Sequence, residues 1–338
     1  MPSPTNKNTQ THNYHIGLTL VVLIWLAVVG LLIVNGQSIV DWWRLRGYVP
    51  PAAVVALANE DTMTSYTRHL FYLNRPQLLG SVTSFRAYCP ENQTSIVLGC
   101  YHPDQDGIFI YDVPDPTLAG VQQVTAAHEV LHAVYARLSG SQRANLDNEL
   151  QSYNNHGLDS PLVKAEVKLY QQTEPGSVMD EMSCTFGTEI ANLPPALNAY
   201  YSKYFVNRAA IVAYEQDYQA AFSSRQAVVA QDDAQLSSLK SQLDSTESQL
   251  ATSLNALNAQ QSNLTSLRNS GDITAYDGGV PSYNSSIDAY NAQVQIAENL
   301  VSQYNQLVVS RNQVAGQITT LVSALDTRET PAQRPTQK

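Results

Sequence analysis

Val121-Gln-Gln-Val-Thr-Ala-Ala-His-Glu-Val-Leu-His-Ala-Val-Tyr-Ala136 is the stretch on which the reading of this chain turns. Apolar and small residues recur through it at helical spacing, and Pro114 and Pro116 precede it, so it reads as a helix beginning near Val121, continuing to about Leu138 and ended by Gly140. Few polar side chains interrupt it, as a helix passing through a core requires. His128 and His132 are four residues apart and share one face, where two imidazoles can hold a single Zn²⁺. Glu129 lies beside the first of them, within reach of a metal-bound water.

Working outward, Gly107-Ile-Phe-Ile-Tyr-Asp-Val113 reads as a strand, and helices are expected at 54–70, 141–153, 161–171 and 176–191. The expected class is α+β. Phe85 to Tyr101 reads as two short strands joined by a polar turn, a hairpin that brings Cys89 and Cys100 together. A bridge closing so short a loop contributes about 2–3 kcal/mol and persists only in an oxidising compartment.

The boundaries follow from composition. Residues 1–15 are polar, and 16–36 contain the apolar run Ile16–Val34, long enough to cross a bilayer and longer than the apolar core of a signal peptide. A transmembrane anchor is therefore expected there, with residues 48–204 as the catalytic body on the extracytoplasmic side of a bacterial envelope. From 205 to 327 the sequence turns to Gln, Ser, Asn and Ala. Leu236, Leu243, Leu250, Leu257 and Leu264 recur every seven residues, then Asn269–Pro281 collects turn-formers before a second helical run. These read as a coiled-coil hairpin, a surface for a protein partner, followed by a disordered tail at 328–338.

Charge excludes one class of function. The chain has 338 residues and a net charge of −10, from 19 basic and 29 acidic residues, so no basic excess exists to displace counterions from nucleic acid. Only 14% of residues are charged. Residues 210–327 carry seven of the ten net negative charges, which sets the hairpin apart from the body.

The pentad His128-Glu-Val-Leu-His132, with the strand before it and helices after it, resembles the zincin metallopeptidases over residues 107–191. The resemblance implies a zincin-like α+β domain, one zinc per chain, a peptide or protein substrate, and Glu129 as general base. It also implies that Ile108–Asp112 pairs with extended substrate at the cleft. No histidine follows His132 before His156, so the metzincin pattern is absent. The gluzincin-like pattern takes a later Glu as third ligand, found here in Met179-Asp180-Glu181-Met-Ser-Cys-Thr-Phe-Gly-Thr-Glu189. Glu181 is preferred over Glu189, with Asp180 and His156 behind. That pattern often places an Asp four residues after its Glu to buttress a histidine, and this chain has Thr185 there. Tyr135, Tyr170, Tyr200 and Tyr201 stand open as oxyanion donors. Cys184 reads as a packing residue. The alternative from another class is an inactive envelope scaffold that works through its coiled coil.

Overall fold

The structure is a computed structural model that describes residues 21, 23, 25, 26, 29, 30, 36–90, 96–103 and 107–328. Most of the expected span at 16–36, and the tail from 329, lie outside the described residues. Two compact units emerge, one of residues 1–112 with 122–213, the other of 113–121 with 214–338.

In the first unit, residues 36–45 are helical. They are followed by α1 (Ala52–Glu60), α2 (Ser65–Leu73), β1 (Gln77–Leu79), α3 (Val82–Tyr88), β2 (Gly99–His102) and β3 (Gly107–Tyr111). After the loop come α4 (Val121–Ala136), α5 (Gly140–His156), α6 (Pro161–Thr173), α7 (Val178–Glu189) and α8 (Pro195–Tyr201). The expected α+β class with a membrane helix is corrected by this architecture. The described chain is predominantly helical with three short strands, and among the described residues no helix is long and apolar enough to cross a membrane.

Two local readings change for physical reasons. Phe85 belongs to α3 and not to a strand, because Ser81 caps that helix by accepting from Ser84 N–H. The hairpin is thus a helix followed by a strand. Cys89, at the end of α3, is nevertheless bonded to Cys100 of β2, with their Cα atoms 6.0 Å apart. The expected helix over 54–70 is two helices, parted where Thr62 takes a positive φ of 51° and Thr64 caps α2.

The sheet order is β1-β3-β2. β3 runs parallel to β1, with Leu78 opposite Ile110, and antiparallel to β2, with Cys100 opposite Phe109. Both its edges are therefore bonded, and all five of its residues are buried. That removes Ile108–Asp112 as a strand able to pair with substrate, and makes β2 an edge of the sheet.

α4 passes through the core, with Ala126, Ala127, Val130, Leu131 and Ala133 fully buried. α7 lies against it at Gly187, where a Cβ would come within 2.6 Å of Leu131 Cδ1 and 2.7 Å of Tyr201 Cε1. The Tyr201 hydroxyl donates to the Ser183 carbonyl at 2.7 Å, tying α8 to the middle of α7. Asp41 clamps Arg137 through two hydrogen bonds of 2.7 and 2.8 Å, which fixes the end of α4 to the helix at 36–45.

The second unit is built on α9 (Arg208–Ser270, 63 residues, entering it at Tyr214) and α10 (Ile273–Leu325, 53 residues). The expected break over Asn269–Pro281 shrinks to Gly271 and Asp272. Gly271 adopts a φ of +79°, open to glycine at a helix end, and the Asp272 carboxylate accepts from Ala275 N–H to start α10. Gly278, Gly279 and Pro281 lie inside that helix. Gly279 is there for proximity, since a Cβ on it would reach 2.7 Å from Leu264 Cδ2.

Asp61 is the outlier of the first unit. It is fully buried, and neither carboxylate oxygen has a hydrogen-bond partner among the described residues. Burial, with the neighbouring Glu60 charge, pushes its carboxyl well above the ordinary 3.8. The stabilising contribution of that bound proton is complete below the unfolded value and is lost as pH rises through the folded one. Asp61→Asn cannot ionise, so its urea midpoint should match wild type near pH 4 and exceed it at pH 7. The same pH dependence in both proteins would refute a protonated buried Asp61.

Candidate metal centre

α4 and α7 carry the site. Their approach at Gly187 sets the first turn of α7 beside the middle of α4, so Glu181 faces both histidines. His128 Nε2 is 3.5 Å from Glu181 Oε2, and His132 Nε2 is 3.7 Å from Glu181 Oε1. The two imidazole rings are 5.0 Å apart between centroids, edge to face. A tetrahedral ion with bonds of about 2.0–2.1 Å to nitrogen and oxygen sets its ligand atoms roughly 3.3–3.5 Å apart. The two imidazoles and the Glu181 carboxylate, one oxygen toward each ring, are therefore a candidate donor set for such an ion, at separations slightly wider than it requires.

The Asp180 carboxylate accepts a hydrogen bond of 2.9 Å from His132 Nδ1. This fixes the tautomer that leaves a lone pair on Nε2, on the Glu181 side. Sequence reasoning looked for such a buttress at Thr185 and did not find it. The accepting carboxylate, Asp180, comes one residue before Glu181 instead of four after it, and Thr185 is fully buried. The signal was the adjacent acid pair itself, placed in the first turn of a helix where the macrodipole favours negative charge.

Electrostatics follow from burial. Burial would raise the Glu181 carboxyl, but the hydrogen bond from His128 and the charges of both histidines outweigh it, and the group sits below its ordinary range. Burial works to lower His132, yet Cys184, Asp180 and Glu181 outweigh it, and that imidazole lies well above its usual 6.5. Glu129 is only 5% exposed, and burial lifts its carboxyl above the ordinary carboxylate range. A base raised toward neutrality suits proton transfer at physiological pH.

Cys184 is the competing donor, since its sulfur and one nitrogen of each histidine lie within 4.8 Å of one another. Its Sγ is 3.9 Å from Asp180 Oδ1, the oxygen that holds His132 Nδ1. Burial pushes the thiol up, against the charge and hydrogen bond of His132.

The remaining candidates fall elsewhere. Glu189 shares a hydrogen bond with Glu166, to which the Tyr170 hydroxyl also donates at 3.1 Å. His156 ends α5, exposed, with Nδ1 3.0 Å from the Ser152 carbonyl. Among the tyrosines, Tyr135 donates to Asp147, Tyr201 to Ser183, and Tyr200 packs between Tyr201 and Tyr204. For Tyr170, burial and the charges of Glu166 and Glu181 push the phenol up, which keeps it neutral. Tyr101, on β2, was not foreseen; burial raises its phenol, and the charges of Asp180 and His132 act on it.

No protein-family model, curated protein or solved structure matches the chain, so the argument for the site rests on its own geometry.

Removing the buttress should weaken metal binding without removing a ligand. Asp180→Ala is expected to lower zinc affinity about 10–100-fold, read by titration against a competing chelator. Unchanged affinity would mean that Asp180 does not orient His132 toward the metal.

Proposed function

We propose that this chain is a zinc-dependent peptidase of the HExxH type, with His128, His132 and Glu181 as the metal ligands and Glu129 as general base. The observation that carries the reading is the convergence of both histidines on the Glu181 carboxylate, with a second, buried carboxylate one residue from His128. A purely structural zinc site has no use for Glu129. Bound there, zinc would polarise a peptide carbonyl and make a water acidic enough to ionise near neutral pH.

The chain's own groups supply the rest. Glu129 takes the proton of the attacking water and returns it to the amine that leaves. Asp180 keeps His132 in one orientation through the cycle. The Tyr170 phenol, neutral and donating to the Glu166 carboxylate at 3.1 Å, would have to exchange that partner to donate toward the oxygen on which charge develops. β2, an edge strand among the described residues, is the element we assign to pairing with an extended peptide, the way an added strand is recognised. The Cys89–Cys100 bridge favours an oxidising, extracytoplasmic compartment.

Two substitutions test the reading. The full-length chain should hold close to one zinc, lost in His128→Ala and kept in Glu129→Gln, while Glu129→Gln abolishes cleavage of a mixed peptide library. If wild type and Glu129→Gln prove equally inert on every peptide, the chain is a scaffold that works through its hairpin.

A further inference from the structure

Gly99 on β2 touches the base and not the metal ligands. A Cβ built on it would lie 2.5 Å from Glu129 Oε1, 2.7 Å from Glu129 Cγ and 2.6 Å from Thr125 Cγ2. The residue does not belong to the positive-φ glycines, so no backbone conformation demands it. What demands it is the closeness of the Glu129 side chain to the strand.

β2 is held in two independent ways. Gly99 stands opposite Ile110 in the antiparallel ladder, and the next residue, Cys100, is bonded to Cys89 at the end of α3. On the other side, Thr125 and Glu129 lie one turn apart on α4, whose backbone is packed among Ala126, Ala127 and Val130. Both backbones are held, so a methyl group at position 99 must be absorbed by side chains, with two of the three short contacts falling on Glu129 and one on Thr125.

We infer that Gly99 is a positioning residue for Glu129: its bare backbone, pinned by the disulfide and by β3, is the wall that fixes where the carboxylate lies. The catalytic side of this inference rests on the peptidase reading, whereas the packing side does not. The wall also has a consequence for substrate. An extended peptide added to the outer edge of β2 would lie on the strand that touches the base, so one element would locate both reactants.

A thermal-unfolding cycle on the metal-free, full-length chain tests the packing directly. Gly99→Ala should lower Tm by about 5 °C, the usual scale of an overpacked methyl. In a Glu129→Ala background the same substitution should cost less than half of that, because two of the three short contacts are gone. If Gly99→Ala alone does not fold, recovery of folding in the double variant supports the same coupling. Equal Tm losses in both backgrounds would overturn the inference.

Activity gives the second arm. With wild type cleaving peptide, Gly99→Ala should lower kcat on the order of 10²-fold, the scale of a misplaced general base, with KM and zinc content unchanged. Full kcat in that variant would also overturn it. A wild type inert on peptides, with the Tm coupling intact, would remove the peptidase reading and leave the wall standing.

Discussion

The spacing between α4 and α7 governs the candidate site, because each helix carries only part of the donor set. A single missing methyl group sets that spacing. Gly187 lets Leu131 and the Tyr201 ring come against the α7 backbone, and the Tyr201 hydroxyl closes on Ser183 from the other side. Six residues upstream of Gly187, the Glu181 carboxylate then falls between two imidazoles one helical turn apart. Widening the gap by the diameter of a methyl would take that carboxylate beyond any shared ligand. Interiors packed as densely as crystals transmit such displacements instead of damping them.

Burying this constellation requires a balance of charge. Glu129, Asp180 and Glu181 bring three carboxyls to a region with two imidazoles, largely out of water. Two of the three sit in the first turn of α7, where unpaired backbone N–H groups and the helix dipole offset some of the cost. The third is raised by its burial, and His132 is raised by its neighbours. In the proposed peptidase a divalent ion would complete the balance, and the arrangement of donors is the one such an ion would select.

The sequence disclosed the helical parts of this structure more faithfully than the extended ones. α4 to α7 could be read because capping residues and apolar spacing act locally, within a few residues of where their effect is felt. Ser139 and Gln142 form a reciprocal box at the start of α5, and Pro161 opens α6. The sheet could not be read in this way. β3 is central only because β1, nearly thirty residues earlier, returns parallel to it, and nothing local to Gly107–Tyr111 encodes that partner. For the same reason Ile108–Asp112 was expected to pair with substrate, when both edges of that strand are taken up by β1 and β2. His128, Glu129 and His132 were readable as residue types at helical spacing, and Glu181 as a ligand that the gluzincin-like resemblance implied. Asp180 was legible only as a lower-ranked candidate ligand and Gly99 not at all, because their roles depend on a distance across the fold.

The hairpin shows how a surface with few charges can still fix a register. Cross-hairpin contacts join Arg225 with Gln317, Arg311 with Asp233, Ser253 with Gln293, and the Leu264 side chain with the backbone at Gly279. Each pair is centred within a residue or two of Gly271 and Asp272, the point where the chain reverses. Helices slipping past one another along their length would move that centre, so the pairing holds one register from tip to base. Leucine every seven residues cannot impose this alone, since a shift of one heptad restores every leucine contact. Arg311 breaks the apolar pattern of the second helix, and its guanidinium grips both oxygens of Asp233. A heptad slip would leave that fork without its carboxylate and would lift Leu264 off the gap at Gly279. The register is therefore set by the residues that interrupt the repeat, while the repeat supplies the attraction that holds the helices together.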